Sequence, residues 1–218
     1  MPDKAQVWEP FCGGLHVSIE LAKRPGLRDL VCSDVRECLI SLYRYAQAGG
    51  ALPDTVSEDD HKAARALPDS DPRKAFILIG CSWGGTYSGG YARSATGQDY
   101  CGNAKRALAL LSTRLSAARA VFEHMNFFDV APGIGDVLIY CDPPYASTRG
   151  YTGLPFDHDA FWRLAQEHAE AGSAVFVSEY SAPLGWQVVW EEPAARKRTA
   201  GIRRKTERPR ERLYTWAG

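Results

Sequence analysis

Two stretches of the chain put reactive groups at the ends of apolar runs. One is "EPFCGG", from Glu9 to Gly14, and the other is "DPPY", from Asp142 to Tyr145. In the second, Pro143 fixes its own φ, Pro144 pushes Pro143 towards an extended ψ, and neither residue has an N–H to donate. The Asp142 carboxylate and the Pro143 carbonyl then form two rigidly spaced acceptors, with the flat face of Tyr145 beside them. Such a set suits a planar substrate that carries an NH₂ group. A strand-ending turn is the plainer alternative, and the acid and aromatic on either side of the prolines weigh against it.

In "EPFCGG", Glu9 ends a strand, Gly13 and Gly14 let backbone approach a ligand, and the helix that follows offers N–H groups. A plain tight turn accounts for a lone glycine pair equally well. Asp34, in "CSD", follows Gly14 by 20 positions. That spacing is similar to the one at which an acid meets a ribose in dinucleotide-binding folds. The same residue also suits the N-cap of the helix that starts near Val35. His16 reads as a helix-surface histidine.

The elements that must position these groups follow from periodicity. "QVWE", "DLVCSD", "DVLIYC", "AVFVSEY", "QVVW" and "RLYTW" read as strands, and "DVLIYC" is apolar throughout, as in a sheet covered on both faces. Helices are expected over "LHVSIELAKR", over "VRECLISLYRYAQAGG" with Val35, Leu39, Leu42, Tyr43 and Ala46 on one face, and from Asn103 to Met125 with Asn103 as cap. A further helix is expected through Phe161, Leu164 and Ala165, capped by Asp157 or Asp159. Residues 51–73 read as a connector or small insertion. The run "AFILIG" looks strand-like, and the Gly- and aromatic-rich stretch after it looks like a loop or hairpin. Alternating strands and helices predict an α/β fold with a doubly wound, mostly parallel sheet.

The chain has 218 residues, no long apolar run and no apolar leader, so a soluble, cytoplasmic protein is expected. Its six cysteines are scattered without a CxxC pair, which argues for thiols in a reducing compartment and against a metal site. Formal charge is zero overall, yet residues 196–212 hold nine basic residues against two acids. This run reads either as a solvated loop or as a phosphate-binding patch.

"EPFCGG" followed by "DPPY" resembles the S-adenosylmethionine-dependent DNA N6-adenine methyltransferases, in particular the Dam-like class. In that class the Gly motif comes first, a target-recognition region is inserted, and DPPY follows. Here 129 positions separate Gly13 from Asp142, with the Gly/aromatic stretch between them. Asp34, Asp129 in "NFFDV", "VSEY" and "ERLYTW" are weaker matches. The resemblance implies a Rossmann-like methyltransferase fold, with residues 1–50 and 103–218 catalytic and 51–102 inserted. It further implies that Glu9, Pro10, Phe11, Cys12, Gly13 and Gly14 hold the methionine end of the cofactor. Asp34 would take its ribose hydroxyls, and Asp129 would lie near its adenine. Asp142, Pro143, Pro144 and Tyr145 would receive a flipped adenine, with no metal required.

Double-stranded DNA is the partner implied. Trp83, Tyr87, Tyr91 and Arg93 would contact it, unless these aromatics form a small core of their own, and Arg203, Arg204 and Lys205 would meet its phosphates. Members of the class usually carry a Gly-Gly-Lys element ahead of the Gly motif, and the eight residues before Glu9 contain none. A late start, a substitute element and a weaker hold on the cofactor are all compatible with that. Two other readings are a methyltransferase-like DNA-binding protein without turnover, and methylation of a different planar amine, such as an RNA base or a glutamine amide.

Overall fold

The computed structural model describes residues 6–24, 26–27, 29–87, 89–94, 97–133, 135–146, 155–193 and 210–218. Arg203, Arg204 and Lys205 lie outside them. The chain divides into two compact units, Ala5–Asp129 and Val130–Gly218.

The first unit opens with β1 (Gln6–Glu9), α1 (His16–Leu21), β2 (Asp29–Asp34) and α2 (Glu37–Gln47). β1 and β2 pair in parallel, and β2 pairs in parallel with β3 (Ala120–His124) on its other side. Val7, Leu30, Cys32 and Phe122 are buried between these strands and the helices over them. On α2 the buried residues are Cys38, Leu39, Ile40, Leu42 and Tyr43, whereas Val35 lies ahead of the helix and is 44% exposed. The expected apolar stripe therefore begins one turn later.

The residues between α2 and β3 are mostly helical. α3 (Glu58–Ala63) starts in a capping box made by Ser57 and Asp60. α4 (Pro72–Ala75) starts with Asp71 accepting from the Arg73 N–H and runs into a wide π turn over Phe76–Gly80. "AFILIG" is thus helical and not a strand, with Phe76, Ile77 and Leu78 buried. A short apolar run of this kind has no period that separates the two states.

α5 (Tyr100–Ala117) begins earlier than expected, with the Asp99 carboxylate rather than Asn103 capping it through the Gly102 N–H. It also ends earlier. Arg119 takes φ 55°, and the chain then enters β3, where Ala120 and Phe122 are buried and Val121 is 48% exposed. Phe122 satisfies a helical and an alternating pattern at once, which is why the helix reads too long in the sequence.

In the second unit, β4 (Val137–Cys141) is buried at every position and pairs in parallel with β5 (Ala174–Glu179). α6 (His158–Glu170) joins them, capped by Asp157, with Phe161, Ala165 and His168 as its buried face. β7 (Arg210–Trp216) is antiparallel to β5 and to β6 (Trp186–Pro193), so the last strand lies between its two predecessors. The fold is α/β with mostly parallel strands. Among the described residues no helix is long and apolar enough to cross a membrane.

Candidate active site

Each unit gathers predicted site residues at the C-terminal ends of its parallel strands. In the first unit, Glu9 ends β1 and Asp34 ends β2, and the parallel register sets them at the same end. The loop after β1 is held against β2, because the Cys12 N–H donates to the Ser33 carbonyl at 2.9 Å. Asp34 grips the same loop. Its Oδ2 accepts from the Gly13 N–H at 3.1 Å, while its Oδ1 accepts from the Arg36 N–H at 2.9 Å. Burial raises the Asp34 carboxyl above its ordinary range, and these two N–H groups pull it back. The N-cap reading of Asp34 is met in altered form: it steadies the entry to α2, although Arg36 occupies the cap position.

Gly13 takes φ +41°, and a Cβ added there would find nothing nearer than the Phe11 carbonyl at 3.9 Å. The outer side of the loop is therefore bare backbone. Tyr43 supports it from beneath by donating its hydroxyl to the Gly13 carbonyl at 2.5 Å. The sequence shows Tyr43 only as an apolar-face residue of α2, and the fold gives it this second role.

Glu9 is buried and accepts from the Ser18 hydroxyl of α1. Cys12 is buried, and its thiol is pushed well above the usual range by burial. His16 is exposed, with its imidazole edge lying over Gly14. Pro10 is buried in the turn after Glu9. Asp129 is exposed in a short 3₁₀ turn, Phe127–Asp129. That turn reaches the Gly loop through Phe127, whose ring packs on Phe11 at 5.5 Å and on Trp8 at 5.7 Å.

The aromatics of the predicted DNA-contacting stretch also belong to this unit and have different surroundings. Ser82 and Tyr91 form an antiparallel bridge that closes a loop. Trp83, inside the loop, is 67% exposed. Tyr87 receives the Arg36 guanidinium over its ring at 5.0 Å. Tyr91 donates its hydroxyl to the Val56 carbonyl at 2.8 Å and packs edgewise on His61, as a small core would have it. Arg93 forks onto Glu58.

In the second unit, β4 delivers Asp142 and β5 delivers Ser178 and Glu179. Because β7 runs antiparallel, its first residues arrive at that same end, where Arg212 is the register partner of Glu179. Glu211 is thereby brought to Tyr145. The Tyr145 hydroxyl donates to Glu211 Oε1 at 2.8 Å and shares a 2.7 Å hydrogen bond with the Ser178 hydroxyl. Its ring stands perpendicular to Tyr180 at 4.8 Å. Glu179 is buried and closes the loop by accepting from the Ala146 N–H at 2.7 Å.

Asp142 is exposed, and Tyr145, Glu211 and Glu179 lie near enough to act on its carboxyl. Displacement of water by the surrounding protein pushes its carboxyl up to about 6. Tyr145 beside it opposes that shift, and the charges of Glu211 and Glu179 add to it. Pro143 is buried, and Pro144 is half-buried. "VSEY" and "ERLYTW", the weakest signals in the sequence, supply the partners that hold Tyr145. No group of three or more described residues is arranged to bind a metal ion. No protein-family model matches this chain, and no curated protein matches it.

Proposed function

We propose that this protein is a methyltransferase that uses S-adenosylmethionine to methylate N6 of a flipped-out adenine in DNA. The observation that carries the reading is the end of β4. There, Asp142 and the Pro143 carbonyl stand beside a Tyr145 ring that Ser178 and Glu211 hold from behind. An exocyclic amine is a poor nucleophile because its lone pair is delocalised into the ring. Two acceptors can orient it and stabilise the positive charge that grows on nitrogen, and the Tyr145 face stacks on a base taken out of the duplex.

The first unit fits the cofactor. Each Asp34 oxygen accepts one backbone N–H and retains a lone pair for a ribose hydroxyl. The open backbone at Gly13 admits a ligand closely. The cofactor supplies a methyl group on a sulfonium, and these residues bind and orient it. Within the first unit the strands run β3-β2-β1 and within the second β4 pairs with β5, all in parallel, which is compatible with the reading.

Calorimetric titration with S-adenosylmethionine, followed by transfer of tritiated methyl to adenine-containing duplex, tests the proposal. Label recovered as N6-methyladenine is expected. Duplex binding without transfer would favour a DNA-binding protein, and label appearing only in RNA or on a glutamine peptide would move the chemistry to another amine.

A further inference from the structure

Tyr145 has one hydroxyl proton and two carboxylates within reach. It donates to Glu211 at 2.8 Å, Ser178 occupies the remaining side of the oxygen at 2.7 Å, and Tyr145 lies close enough to Asp142 to favour its charged form. A carboxylate only accepts, so whichever acid takes the Tyr145 proton deprives the other of it. The cations nearby do not resolve this competition. Arg212 donates to the Tyr180 carbonyl at 2.9 Å and to Glu191 at 3.1 Å, and Arg210 pairs with Glu191 at 3.1 Å. Glu179 is engaged by the N–H groups of Ala146 and Tyr180. The groups that act on Asp142 are therefore Tyr145 from its own loop, Glu179 from the end of β5 and Glu211 from β7.

We propose that Glu211 is a positioning residue for methyl transfer: it holds the Tyr145 hydroxyl, fixes the ring as a stacking face, and competes with Asp142 for that donor, so that Asp142 can take up the proton that the methylated amine releases. The inference rests on the methyltransferase reading. In the balanced step the N–CH₃ bond forms as the S–CH₃ bond breaks, and the N–H electron pair returns to the amine as its proton passes to an Asp142 oxygen. The direction of the Asp142 shift agrees with this role, since the Glu211 charge makes its carboxylate more basic.

Two substitutions separate the effects because their signs oppose. Glu211→Gln removes a neighbouring negative charge and retains the shape, so Asp142 should titrate at lower pH than in the parent. Tyr145→Phe removes the donor that favours the Asp142 carboxylate, so Asp142 should titrate at higher pH. Carbon-detected NMR of ¹³C-labelled carboxyl groups, with Asp142→Asn assigning the signal, reads both shifts in the full chain without any turnover. The acid limb of kcat should move the same way in each variant, and KM for duplex should change little in Glu211→Gln. Circular dichroism checks that each variant is folded. An Asp142 titration that stays in place or rises in Glu211→Gln would overturn the proposal, as would movement of both variants in one direction. Failure of the methyltransferase reading would show separately, as an unsubstituted protein that transfers no methyl to adenine.

Discussion

On the proposed reading, the Asp142 carboxyl and the Tyr145 ring carry the largest consequences of any single residues. Asp142→Ala removes an oriented acceptor and should lower methyl transfer by about 100-fold or more, with the fold retained. A tritiated-methyl assay on the variant checks this, and near-normal turnover would remove Asp142 from the chemistry. The pH dependence follows from the same residue. Desolvation pushes its carboxyl up to about 6, and the proposed chemistry uses the carboxylate. Transfer should therefore rise with pH through about 6 and be lost below it. Tyr145 needs more care than a stacking role alone suggests. Its hydroxyl makes hydrogen bonds that aim the ring. Tyr145→Phe should then cost activity through positioning, and Tyr145→Ala should cost more because the face itself is gone.

At the scale of elements, the helical stretch between α2 and β3 is assembled from capped pieces. Asp99 caps α5, and a Cβ at Gly102 would sit 1.9 Å from its carboxylate, so cap and glycine form one device. Asp99→Ala should destabilise the protein by about 1 kcal/mol in urea unfolding, the usual cost of removing an N-cap. The loop closed by the Ser82–Tyr91 bridge has a packed residue, Tyr91, and an exposed one, Trp83. Tyr91→Phe should cost roughly 0.5–1.5 kcal/mol of stability because the bond to the Val56 carbonyl is removed. Trp83→Ala should leave stability nearly unchanged, because that side chain is 67% exposed, and should weaken duplex binding if it meets DNA. Thermal unfolding and fluorescence anisotropy with labelled duplex measure the two effects separately.

For the whole molecule, the thiols report on integrity. All six cysteines are buried, none is in a disulfide, and burial pushes the Cys32 and Cys81 thiols up to about 12. The native protein should react slowly with an aromatic disulfide reagent and release six equivalents once unfolded in denaturant without reductant. Charge distribution gives a second test at this scale. If the basic residues Arg203, Arg204 and Lys205 meet phosphates, their replacement by Gln should weaken all duplexes alike. The slope of log K against log salt should flatten by up to roughly 0.9 for each phosphate that is no longer neutralised. A changed sequence preference at constant slope would mean that they read bases.

Local pattern alone located the strands that end at Glu9, at Asp34 and just before Asp142, because each is an apolar run stopped by an acid, and strand periodicity is local. It also determined the rigid Asp142–Pro143–Pro144 turn, whose angles are set by covalent rings. It misplaced what depends on context: "AFILIG", which is buried in a helical layer, and the end of α5, where Phe122 suits two periods at once. Only the tertiary structure decided that Tyr43 props the Gly loop and that Glu211 and Ser178 hold Tyr145. Those hydrogen bonds span 30, 66 and 33 positions and arise from register, above all from the antiparallel course of β7, which no local pattern encodes.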